Sequence, residues 1–130
     1  MSAPLSPECP SWAAIAAAAE GMCAPVLVTV VETSGSTPRK AGARLLVDAD
    51  GDPPKRAEDF PFPSGTIGGG AVEIEGLRLA WEAWGAGGPL LRRVPLGAEL
   101  AMCCGGTMTL FAQPLVERPT LLLFGAGHVG

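Results

Sequence analysis

Val26–Glu32 (VLVTVVE) is the stretch that most limits what this chain can become. It is a β-branched, apolar run of strand length, and it reads as a central, buried strand. It opens into Thr33–Ser34–Gly35–Ser36–Thr37–Pro38–Arg39–Lys40, which holds hydroxyls, one glycine and the first two positive charges of the chain. Hydroxyl and backbone donors followed by a fork-shaped guanidinium suit a phosphate or another oxyanion. An ordinary polar turn shaped by Pro38 has the same composition. Ala43–Asp48 reads as a second strand. The turn signal at Asp48–Gly51 makes the two strands candidates for pairing.

Further glycine-rich turns follow. Ser64–Gly65–Thr66–Ile67–Gly68–Gly69–Gly70 leads into an amphipathic segment, Ala71–Trp84, with Ile74, Leu77, Trp81 and Trp84 at helical spacing. Glu75 with Arg78, and Arg78 with Glu82, are spaced to pair on its outer face. A glycine loop entering a helix exposes N–H groups at the positive end of the helix dipole, a natural anion site. The same glycines also serve a tight strand-to-helix turn. Leu90–Pro95 reads as an edge strand with Arg92 or Arg93 outward. Met102–Cys103–Cys104–Gly105–Gly106 then sets two adjacent thiols before a Gly-Gly break, and Thr107–Ala112 continues as a strand. A thiolate is a nucleophile, a soft metal ligand or a sulfur acceptor according to its surroundings. A small buried apolar residue is the other common fate of cysteine.

The ends of the chain are simpler. Residues 1–10 are proline-rich and irregular. Ser11 caps a helix carrying Trp12, Ile15, Ala16, Ala19 and Met22, with Gly21 near its end. Asp52–Pro63 is a charged, proline-rich surface insertion. Thr120–Phe124 is an apolar strand that runs into Gly125, Gly127, His128 and Gly130. That is the G-x-G-x-x-G opening of a dinucleotide-binding βαβ unit, stopped at its third glycine.

Composition narrows the classes. Nine Lys and Arg against thirteen Asp and Glu give a net charge of −4, which argues against a nucleic-acid binder. Eighteen glycines and thirteen prolines approach low-complexity levels, but 48% of the residues are hydrophobic and the glycines gather into a few loops. The 130 residues suffice for one domain with a core. Cys9, Cys23, Cys103 and Cys104 match no zinc-binding spacing. With no Lys or Arg before Arg39, a signal peptide would lack its positive segment, and no apolar run is long enough to span a membrane. A cytoplasmic location is expected. The only histidine is His128, so no nucleophile–base–orienter set is visible. That favours a carrier over an enzyme.

Taken in order, Glu32–Arg44, Gly65–Glu73, Cys103–Gly106 and Gly125–Gly130 resemble the XdhC/CoxI family, accessory proteins of xanthine dehydrogenase and related molybdenum hydroxylases. Met102 stands where the family often has Gln. The resemblance implies an α+β fold: an N-terminal domain with a small mixed sheet and helices over 1–112, a linker at 113–119, and the truncated start of a Rossmann-type domain at 120–130. It implies a factor that binds molybdenum cofactor (molybdopterin) as cargo, supports its sulfuration and inserts it into the hydroxylase. The expected partners are the apo-hydroxylase, a cysteine desulfurase and a second copy of the chain, with no nucleic acid and no membrane. By the same resemblance, Ser36, Thr37, Arg39 and Lys40, with Gly65, Thr66, Gly68, Gly69 and Gly70, would hold the cofactor's polar and phosphate parts. Cys103 and Cys104, beside Gly105 and Gly106, would lie at its molybdenum or dithiolene end. Gly125, Gly127 and Gly130 would serve a nucleotide in a longer protein. Two other readings of the residues remain: a fragment of an NAD(P)-dependent oxidoreductase, and an interaction fragment whose Thr120–Phe124 strand pairs with another chain.

Overall fold

The structure, a computed structural model, describes residues 11–53, 55, 64–97 and 105–116. Residues 1–10, most of the proline-rich stretch 52–63, the cysteine pair, and the residues 120–130 expected to form a strand and glycine turn lie outside the described residues.

The elements in chain order are α1 (Trp12–Glu20), β1 (Pro25–Ser34), β2 (Arg44–Asp48), β3 (Ser64–Gly65), α2 (Gly70–Ala86), β4 (Leu90–Pro95) and β5 (Thr107–Pro114). The strands form one five-stranded sheet in the order β3-β2-β1-β5-β4. The α+β class is as expected, and β1 is the central strand. Among the described residues every pairing is antiparallel, in place of the mixed sheet expected.

The two faces of the sheet are covered unequally. On one face lie Val26, Val28 and Val30 of β1, Leu45 and Val47 of β2, and Met108, Leu110 and Ala112 of β5, all buried with α2. Of the helix's expected stripe, Leu77 is buried as read, but Ile74, Trp81 and Trp84 are not. Its buried residues are Val72, Gly76, Leu77, Leu79, Ala80 and Ala83, while Trp81 and Trp84 are only half-buried at the flank of the core. Small residues win this position because the helix sits close on the sheet. A Cβ on Gly76 would lie 2.7 Å from Ile67 Cδ1 and 3.6 Å from Val28 Cγ1. The helix closes on Gly87 in the left-handed conformation, whose N–H donates to the Ala83 carbonyl at 3.0 Å.

On the other face, α1 covers one end only. Its Ser11 hydroxyl accepts from Ala14 N–H at 3.1 Å, as a helix cap should. Only Ile15 is buried, against Leu27 and Leu46, and the Arg44 guanidinium lies 4.1 Å from the centre of the Trp12 ring. Of the expected apolar stripe, Trp12 and Ala16 are exposed, Ala19 is half-buried, and Met22 packs against the Ile15 cluster.

Three local differences from the sequence reading have clear causes. The strand β1 continues through Thr33 and Ser34, because β5 goes on pairing with it past a bulge at Val31. Ser64–Gly65 is not loop but a short edge strand on β2. Glu82 pairs with Arg92 of β4 rather than with Arg78, which keeps Glu75 at 2.8 Å. In addition, Gln113 and Pro114, at the start of the expected linker, belong to β5 and pair with Leu27 and Val26.

Candidate functional site

Where β1 ends and β5 begins, the described glycine turns come together. The N–H of Gly106 donates to the Ser36 carbonyl at 2.9 Å, and its own carbonyl accepts from Leu96 N–H at 2.9 Å. Gly106 is buried, and a Cβ there would fall against the carbonyl oxygens of both Ser36 and Ser34, the latter at 2.5 Å. Only glycine permits that approach. On the other side of the same loop, a Cβ on Gly68 would meet Pro38 Cγ at 2.6 Å and Val72 Cγ1 at 2.9 Å. The Ser36–Lys40 loop is thus wedged between the Gly68 turn and the Gly106 strand entrance. Cys103 and Cys104, which precede Gly105 in the chain, lie outside the described residues, as do Gly125, Gly127 and Gly130.

Within this corner each side chain has a distinct setting. Ser36 and Lys40 are exposed, and Thr37 and Arg39 are half-buried. The Thr37 hydroxyl donates to the Arg39 carbonyl at 2.9 Å, and Arg39 Nη1 donates to the Pro38 carbonyl at 3.1 Å. Both side chains therefore shape the loop that carries them. Gly65 lies in β3, Gly70 begins α2 and is exposed, and Gly105 is exposed.

The N-terminus of α2 is not the open anion site that the sequence suggested. The Glu73 carboxylate accepts from Gly69 N–H and from the Thr66 hydroxyl, while Thr66 Oγ1 in turn accepts from Gly68 N–H at 3.1 Å. A side-chain carboxylate on the first turn supplies the negative charge that a ligand would otherwise bring.

Beside the corner, on the face of the sheet that α1 leaves open, lies a cleft of about 160 Å³ lined by Glu32, Thr33, Ser34, Arg93, Thr107 and Thr109. The bulge at Val31 creates it. Before the bulge, even-numbered residues of β1 face α2; after it, Glu32 pairs with Thr109 and Ser34 with Thr107, on the open face. Thr109 is also the register partner of Arg93. The row Glu32–Thr109–Arg93 therefore crosses three adjacent strands. Sequence reasoning passed over Glu32 and both threonines, since a bulge leaves no mark in an unbroken apolar run.

Residues 17–95 match the XdhC and CoxI family, and the chain belongs to that family. It is 37% identical over 114 residues to the uncharacterized protein YqeB of Escherichia coli K12, a match that takes in 85% of this chain and 19% of that protein. Its fold is similar to part of a crystal structure described as a xanthine dehydrogenase from Bacillus halodurans. That likeness has a TM-score of 0.63 at 23% identity, over 78% of this chain and 29% of the other. The chain thus spans under a third of the length of either protein. Among the described residues no helix is long and apolar enough to cross a membrane.

Proposed function

We propose that this chain is the N-terminal part of a maturation factor that binds molybdenum cofactor, supports its sulfuration and delivers it to an apo-hydroxylase of the xanthine dehydrogenase type. Membership of the XdhC and CoxI family supports the general role. The observation that carries the local reading is the wedge of three turns, with Gly106 on Ser36 and Gly68 on Pro38. Turns that arrive at one corner can share one ligand.

The donor set fits a phosphorylated pterin with a soft metal end. Lys40 supplies an exposed cation and Ser36 an exposed hydroxyl, while Thr37 and Arg39 hold the loop in shape. Gly65, Thr66, Gly68, Gly69 and Gly70 form the neighbouring wall, with the helix terminus already occupied by Glu73. Cys103 and Cys104, arriving through Gly105 and Gly106, bring thiolate sulfur, a soft donor suited to the molybdenum–dithiolene end. The role is that of a carrier, not a catalyst. A cysteine desulfurase supplies the sulfur, and two copies of the chain act together in the cytoplasm. In a longer protein, Gly125, Gly127 and Gly130 would open a nucleotide site.

Titration of the purified chain with isolated molybdenum cofactor tests the proposal. Saturable binding that is lost on combining Cys103→Ala, Cys104→Ala and Arg39→Ala is the expected result. Binding unchanged by those three substitutions, or no binding at all, would overturn it.

A further inference from the structure

One free edge of the sheet is β4. Two backbone contacts fix which of its groups point outward. Leu115 N–H donates to the Pro25 carbonyl at 2.9 Å, so odd-numbered residues of β5 turn their backbone groups to β1. Leu96 N–H donates to the Gly106 carbonyl at 2.9 Å, so Leu90, Arg92 and Val94 turn theirs to β5. Backbone groups alternate sides along an antiparallel strand. Leu91 and Arg93 therefore each present an N–H and a C=O to the free edge, and Pro95 presents a carbonyl alone. Among the described residues nothing pairs with these groups. The same residues carry their side chains on the open face. Leu91 is 65% exposed and stands beside Phe111, while Arg93 is exposed and stands beside Thr109. Arg92, on the α2 face, is held by Glu82.

A second copy of β4 fits this edge poorly. In the registers that overlap most of the strand, a two-fold axis at Arg92 or Arg93 sets arginine against arginine, a destabilising pair. An axis at Leu91 or Val94 sets Arg93 against Pro89 or Pro95, and neither has an N–H to give its carbonyl. Prolines and like charges are common ways to blunt an edge. They leave Leu91 and Arg93 open to a strand of different composition.

We propose that the β4 edge docks an extended segment of another protein in which an acidic residue precedes an apolar one by two positions. Added antiparallel, the segment sets the acidic residue opposite Arg93 and the apolar one opposite Leu91. Each exchanges N–H and C=O hydrogen bonds with its partner. A carboxylate opposite a guanidinium is a favourable cross-strand pair, and the apolar side chain extends the Leu91–Phe111 row. The residue between them stands opposite Arg92, whose charge Glu82 already meets, so it needs no charge of its own.

The test titrates a fluorescein-labelled peptide, Ser-Thr-Glu-Thr-Val-Thr-Ser-Gly, with the whole chain and follows fluorescence anisotropy. Saturable binding is expected. Methylating the backbone nitrogens of its Glu and Val removes both donors and should abolish binding, which a purely side-chain attraction would survive. Arg93→Glu should weaken the peptide roughly fivefold and should bind a version with Lys in place of Glu more tightly than the wild type does. Leu91→Pro removes an N–H that no described strand uses, so circular dichroism should be unchanged while binding is lost. The methylated peptide and the charge swap decide the matter even if Leu91→Pro does not fold. No saturable binding at millimolar wild-type chain, undiminished binding of the methylated peptide, or no preference of Arg93→Glu for the Lys peptide would overturn the proposal. So would a dimer in sedimentation equilibrium that Leu91→Pro converts to monomer, because the edge would then belong to a second copy.

Discussion

The N–H of Gly106 and the carbonyl of Ser36 meet at 2.9 Å, with no room between the two backbones for even a methyl group. This contact fixes the entrance of β5 against the loop that leaves β1.

Replacing Gly106 with alanine therefore forces one backbone off the other. The obstructing atoms are carbonyl oxygens, which cannot rotate aside. The cost should exceed the ~1–3 kcal/mol typical of overpacking, and it should appear as a lower urea midpoint or as failure to fold. Gly105→Ala is the control. Gly105 is exposed, and a Cβ there has nothing within 4 Å, so its unfolding midpoint should barely move.

Gly76→Ala sets two effects against each other. Alanine is favoured over glycine inside a helix by about 1 kcal/mol. The new methyl, however, would lie 2.7 Å from Ile67 Cδ1, and Ile67 is fully buried. The single substitution should be net destabilising. Ile67→Val removes the clashing atom and alone should cost ~0.5–1.5 kcal/mol. The double variant should lose less than the sum of the two, which a double-mutant cycle of denaturation free energies measures directly.

Glu73→Ala takes away the acceptor of Gly69 N–H and of the Thr66 hydroxyl at the start of α2. Loss of a capping carboxylate should lower stability by about 1–2 kcal/mol. Glu73→Gln keeps an oxygen acceptor but not the charge, so it should fall between alanine and wild type in thermal melts.

The Glu82–Arg92 pair gives a pH signature. The hydrogen bond from Arg92, helped by its charge, holds the Glu82 carboxyl below the ordinary carboxylate range, although burial opposes the shift. A carboxyl depressed on folding contributes stability that is complete above its unfolded value, about 4.3, and is lost as pH falls through the lower folded value. Both side chains remain well exposed, at 35% for Arg92 and 50% for Glu82, so screening leaves the pair worth well under ~1 kcal/mol. Glu82→Gln should thus cause a small loss of stability at pH 7 that fades as pH falls from the unfolded value through the lower folded one. Added salt should shrink it.

Much of the fold was legible in local pattern. The Val26–Glu32 run marked the central strand, Ser11 and Gly21 bracketed α1, and Leu90–Pro95 read correctly as an edge. What stayed hidden depends on distance between elements. The preference of α2 for Gly76, Ala80 and Ala83 over its tryptophans follows from how closely it sits on the sheet, which helical spacing alone does not encode. The partner of Glu82 lies on a different element, ten residues away in sequence, so an i,i+4 rule selected Arg78 instead. The glycine turns were visible one by one. Their mutual contact, Pro38 on Gly68 and Ser36 on Gly106, was not, because nothing in either motif names the other.

The extra residue at Val31 divides β1 into two halves with separate obligations. Up to Val30 each side chain answers to the interior, and a change there is felt as packing. From Glu32 onward the phase is reversed: Thr33 stands opposite the core residue Met108, while Glu32 and Ser34 face the open side and can be exchanged without disturbing the hydrophobic layer. The open-side positions of the second half can therefore vary while the first half continues to hold the domain together.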